Sequence, residues 1–128
     1  MRIAGLVLAV LAGALHIYIF VLESLRWTHP ATRRIFGVRS AAEAETMRAL
    51  AFNQGFYNLF LAIATFLGVV FVILGGCTAG MTLALAGTAM MLAAALVLVL
   101  SDRTKLRAAA TQGTVPLLAV IALTVSML

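Results

Sequence analysis

Four long apolar runs, Ile3–Leu25, Ala49–Leu74, Met81–Leu100 and Ala108–Leu128, govern what this chain can become. A hydrocarbon core of about 30 Å is crossed by about 20 helical residues at roughly 1.5 Å each, and every run reaches that length. Inside lipid each backbone N–H and C=O must find a partner within the protein, so such runs fold as helices. With 64% hydrophobic and 10% charged residues, a water-soluble domain is excluded. The predicted fold is all-α: one integral membrane four-helix bundle over residues 1–128.

The net charge of +5 does not point to nucleic acid, because the bases gather at the ends of the apolar runs instead of on a soluble face. Arg26, Arg33, Arg34, Arg39 and Arg48 lie in or beside the first connection, and Arg103, Lys105 and Arg107 in the third. Only Arg2 falls on the other side. The partner these charges imply is the lipid bilayer. The positive-inside rule predicts basic connections in the cytoplasm, both termini extracytoplasmic, and a multi-pass protein of the cell inner (cytoplasmic) membrane. Ala12-Gly13-Ala14 behind Met1-Arg2 resembles a signal-peptidase site. Cleavage there would leave Leu15–Leu25 too short to span, so the segment is read as retained. The single Cys77 excludes an intramolecular disulfide and a Cys-x-x-Cys redox pair.

Within the second run, Asn53-Gln54-Gly55-Phe56-Tyr57-Asn58 sets three amides and a phenol where lipid is expected. Polar groups in hydrocarbon are paired, line a cavity or hold a ligand. Asn53 and Tyr57 are spaced i,i+4, as are Gln54 and Asn58, so the four share an arc of roughly 140°. Gly55 between them leaves room for a neighbouring helix or a ligand. The first run carries Gly5, Ala9, Gly13, His16, Phe20 and Glu23 at helical spacing, small residues first and ionisable ones last. In the fourth, Gln112 lies one turn inside the boundary, and Pro116 leaves its carbonyl without a helical donor. The third run shows a small face, Gly80, Ala84, Gly87 and Thr88, and no ionisable group, so it reads as scaffold with Met81, Met90 and Met91 as filler. His16 and Glu23 fall short of a three-ligand set, so no metal site and no cofactor is expected.

Counted from the connection ends at about 1.5 Å per residue, Glu23 lies about 3 Å deep, Gln112 about 5 Å, Gln54 about 8 Å, and His16 and Asn58 about 14 Å. A bundle would draw them into one polar cleft open to the cytoplasm. The candidate ligand-binding residues are His16, Glu23, Asn53, Gln54, Tyr57, Asn58 and Gln112. Plainer roles stand beside this: His16 packs against a neighbour, the amides act as interhelical glue worth about 0.6 kcal/mol, and Glu23 is a solvated carboxylate near Arg26. Trp27 reads as an interfacial anchor. In the first connection His29-Pro30 should end a helix, and Ser40-Ala-Ala-Glu43 is a capping box that starts one running into the second span. Arg33, Arg34 and Arg39 beside Ile35, Phe36 and Val38 read as a segment lying on anionic headgroups, or gripping an anionic substrate.

His16-Ile-Tyr18, Leu22-Glu23, Arg34-Ile-Phe36, Asn53-Gln54-Gly55-x-Tyr57-Asn58 and Gln112-Gly113 with a following Pro resemble the signature of a bacterial and fungal family of small four-helix membrane proteins. That family is Domain of Unknown Function thirteen-oh-four. The likeness covers nearly the whole chain and implies the topology, but brings no activity with it.

Three functions fit. A binding protein or enzyme for a small lipid-soluble or amphiphilic molecule would use His16 as proton donor or acceptor, Glu23 to tune it, and the amides to hold a polar head. Pairing His with Glu in a helical bundle resembles membrane sterol isomerases, an analogy of fold alone. The second reading is a proton-coupled transporter working as a homodimer, and the third a structural or partner-binding protein. The first ranks ahead, with no reaction named. It predicts that Asn58→Leu keeps or gains stability while losing ligand.

Overall fold

The computed structural model covers residues 1–128 and is built of helices alone. Helix α1 (Arg2–Phe20) runs directly into a π-helical turn (Val21–Leu25); a short α2 (Pro30–Phe36) follows. Next come α3 (Ala41–Ile73) and α4 (Cys77–Ser101), and a 3-10 turn (Arg103–Lys105) leads into α5 (Leu106–Val125). Four segments are long and apolar enough to cross a membrane: Arg2–Leu25, Ala41–Ile73, Cys77–Ser101 and Arg103–Val125. The 33 residues of α3 make a rod of about 50 Å, so it overruns the hydrocarbon.

That helix starts where its capping box puts it. Ser40 Oγ accepts from the Glu43 N–H at 3.0 Å, and Glu43 Oε2 reaches back to the Arg39 N–H at 2.8 Å. α2 is punctuated as cleanly. His29 Nδ1 accepts from the Ala31 N–H at 3.3 Å with Pro30 in the first helical position. Gly37, at φ 70°, turns the chain out, and the Val38 N–H returns to Arg33 O at 2.9 Å.

The spanning helices form a ring in which α1 packs on α3 and α5, and α4 packs on the same two from the far side. Alanine supplies most of the buried apolar residues, while Phe60, Ile63, Leu67, Leu96, Val97, Leu118 and Ile121 face outward. Lipid tails offer no hydrophobic drive between helices, so small residues that permit close approach hold the bundle and large ones meet the acyl chains. Gly5, Ala9, Gly13 and His16 turn inward from α1, and Gly80, Ala84, Gly87 and Thr88 from α4, as their spacing predicts. The tightest crossing joins α3 to α4: a Cβ on Gly80 would stand 2.6 Å from both Gly68 O and Val72 N.

Trp27 departs from its reading as an interfacial anchor. It is 7% exposed, its indole Nε1 donates to Ala44 O at 2.8 Å, and its ring meets Phe36 at 5.3 Å. With Val38, Ala44 and Ala51 it forms a small core under the first connection. The chain turns sharply at Arg26 and folds back over the first turns of α3, where an indole fits better than in headgroups. Trp27→Phe keeps the ring contact and loses the hydrogen bond. It is expected to cost about 1 kcal/mol, measured as an earlier melt in detergent.

Candidate functional site

The end of α1 is where local sequence rules and the structure part. The Arg26 N–H bonds to Val21 O, five residues back, at 3.0 Å. This wider turn rotates Glu23 and Ser24 together toward α3. Such π turns recur at functional sites. Ser24 Oγ donates to Phe52 O at 2.8 Å. The contact depends on Gly55, because a Cβ there would collide with Ser24 Oγ and come within 3.1 Å of Glu23 Cβ. The space beside Gly55 is therefore filled by the neighbouring helix.

Held in this way, Glu23 Oε2 accepts from Asn58 Nδ2 at 2.8 Å, and the same amide nitrogen donates to Gln54 O at 3.2 Å. Both amide hydrogens are thus committed, and one carboxylate oxygen is oriented. Glu23 is no free headgroup carboxylate paired to Arg26: the protein's one ion pair is Arg48–Glu45, at 3.2 Å on an exposed face. A cavity of about 310 Å³ opens beside it, lined by Glu23, Trp27, Met47, Leu50, Ala51, Asn53 and Gln54. Its polar wall offers a carboxyl and two amides, and its apolar wall a surface for hydrocarbon. On the lipid side of α3, Phe52, Phe56 and Phe60 form a row against which Phe20 packs edge-on, 5.1 Å from Phe56.

The other sequence candidates lie elsewhere. His16 is 1% exposed, donates from Nδ1 to Ala12 O at 2.9 Å, and lines neither this cavity nor the next. Tyr57 is 57% exposed on the outer face of α3. Gln112 belongs to a second cavity, of about 400 Å³, on the other flank of α1. There Leu15, Tyr18, Ile19 and Leu22 face Arg34, Ile35 and Phe36 of α2 and Arg107, Ala108, Thr111 and Gln112 of α5. The single cleft expected from depth alone is therefore two. The reason is ring order: α1 stands between α3 and α5, so their polar residues reach it from opposite sides.

Sequence reasoning missed Met47 and Leu50 around the first cavity, Ser24 in the contact that holds Glu23 beside it, and Tyr18 and Arg107 around the second. A usable signal existed only for Tyr18, which lies one residue past His16-Ile17, and for Ser24, which follows Glu23. Met47 and Leu50 carry no chemistry that marks them, and Arg107 reads as part of a polar turn.

The family described as "Protein of unknown function (DUF1304)" matches residues 10–124, a stretch that contains every residue of both cavities. Comparison with curated proteins and with solved structures finds no match. With nearly its whole length matched, this four-helix chain belongs to the DUF1304 family of proteins of unknown function.

Proposed function

We propose that the cavity beside Glu23 binds the polar head of a small lipid-soluble molecule and that Glu23 exchanges a proton with it. The observation that carries this reading is the 2.8 Å Asn58–Glu23 hydrogen bond at the cavity wall. One carboxyl oxygen is pinned and the other is left to meet a hydroxyl, amine or carbonyl group of the ligand. A positioned carboxyl can serve as acid or base. Asn53 and Gln54 supply further hydrogen-bonding groups, and Met47 and Leu50 take the apolar part. Asn58 is then a positioning residue acting through Glu23. His16 and Tyr57, outside the cavity, take no part.

The proposal places this protein in the inner membrane with its termini extracytoplasmic. The eight-to-one distribution of bases supports that orientation, and the Lys105 Nζ to Phe36 O bond at 3.1 Å joins the two basic connections at one end. Both cavities lie toward that end, which favours a one-sided site over alternating access around a central one. An alkaline phosphatase fused after Leu128 should be active; an inactive fusion with a bright fluorescent-protein fusion at the same site reverses the orientation.

The chemical test uses Glu23→Gln, which keeps the shape and still accepts from Asn58. Molecules retained by purified protein are identified by mass spectrometry across a pH series. The wild-type protein is expected to retain a ligand in a pH-dependent manner, and Glu23→Gln to melt like the parent but lose that dependence. An unchanged pH profile in Glu23→Gln removes the proton role. Equal retention by Leu50→Trp, which crowds the cavity from its exposed rim, removes the cavity itself.

A further inference from the structure

The second cavity, on the α5 side of α1, is independent of the Glu23 site. We propose that it holds one anionic phospholipid, with its phosphate between Arg34 and Arg107 and an acyl chain along Leu15, Ile19 and Leu22.

Charge is the first support. Two guanidinium groups line one cavity and no carboxylate does. All four acidic side chains are engaged elsewhere: Glu23 with Asn58, Glu43 with the Arg39 N–H, Glu45 with Arg48, and Asp102 with Thr104. The chain brings like charges together and supplies no counterion.

Helix polarity sharpens the point. Arg34 sits in the last turn of α2, where the helix dipole favours a cation, so its place is explained without a ligand. Arg107 sits at the start of α5, behind a 3-10 turn whose own cap, Asp102, is spent on the Thr104 N–H, so no carboxylate answers it. A phosphate between Arg34 and Arg107 would satisfy both arginines at once.

The rim is built. Lys105 Nζ bonds to Phe36 O, and Trp27 packs against the Phe36 ring, so α2 is fixed over the cavity from two directions. Polarity also falls in the order a phospholipid presents. Arginines stand at the mouth, Tyr18 and Gln112 lie about 10 and 5 Å in from that end, below the arginines, and the remaining wall is mostly aliphatic. A free phosphate would use the arginines and leave that wall uncovered. Basic pockets between spanning helices are the form that phospholipid headgroup recognition takes.

The test is native mass spectrometry of delipidated full-length protein in neutral detergent, with phosphatidylglycerol, phosphatidylcholine and glycerol 3-phosphate as probes. One phosphatidylglycerol is expected to be retained in preference to phosphatidylcholine. Arg34→Gln/Arg107→Gln should weaken retention about thirtyfold, each arginine contributing about fivefold. Ala108→Phe, which fills the cavity and leaves both charges, should weaken it as well, whereas Arg103→Gln, outside the cavity, should not. Arg107→Gln alone separates binding from folding, because removing one of two like charges that share a cavity should leave the lipid-free protein melting no lower while its lipid affinity falls. Equal retention of phosphatidylcholine overturns the proposal, as does an equal loss in Arg103→Gln. Competition by glycerol 3-phosphate at the lipid's own concentration, with Ala108→Phe unaffected, shows a soluble-anion site and overturns it too.

Discussion

Gly68→Leu is expected to unfold the bundle or prevent its accumulation, with a loss of about 3 kcal/mol or more. A Cβ at this position would collide with the Ala84 backbone nitrogen and stand 2.8 Å from Gly80 O and 2.9 Å from Ala84 Cα. All three are backbone atoms of α4, and none can swing aside, so α3 and α4 would have to separate. In lipid no hydrophobic term compensates for that lost packing. Gly13→Ala makes the contrast. The atoms nearest its Cβ all belong to the Phe66 ring, at 2.8 Å, and a ring can rotate away, so a loss of about 1 kcal/mol is expected. Thermal melts of the two variants in one detergent decide the matter: if they fall equally, backbone contact at the Gly68–Gly80 crossing is not what holds the bundle.

The second large effect concerns the Glu23–Asn58 pair. Asn58→Leu removes the donor that Glu23 relies on at 2.8 Å and leaves a half-buried carboxyl beside apolar side chains. A loss of about 1–3 kcal/mol is expected. The sequence alone predicts the opposite, since Leu suits hydrocarbon better than Asn. The double variant Glu23→Leu/Asn58→Leu removes both partners, and its melting temperature should return to the parent's or pass it, because a well-packed apolar pair replaces a polar one without leaving an orphan. Both variants should lose the ligand of the proposed site. Melts that are equally low for the single and double variants would show that the two side chains are not coupled, and Asn58 would then need another role.

Local sequence was enough for the frame. Span length against bilayer thickness marks the four helices, the capping box at Ser40 marks the start of α3, and the spacing of Gly and Ala marks the faces that pack. Each rests on neighbours within a turn or two, so each can be read without knowing what lies across the bundle. Asn58 and Glu23 are also visible one at a time, because ionisable and amide side chains are rare in hydrocarbon. Their pairing is not visible. It depends on the π turn at Val21–Leu25, which breaks the 3.6-residue period carrying the prediction from His16 to Glu23, and on Gly55 lying opposite Ser24.

Depth counted along each helix is a one-dimensional measure and contains no information about which side of α1 a residue approaches. Ring order supplies it: α1 lies between α3 and α5, so Gln54 and Gln112, at similar depths, enter different cavities. Tertiary packing also buries Trp27 where the first connection folds back over α3, and sets Arg107 across from Arg34, two charges that the sequence places 73 residues apart in two separate polar connections. Hydrophobic length and helical period determine the helices of this protein, but the meeting of side chains from different helices is determined only when the helices choose their neighbours.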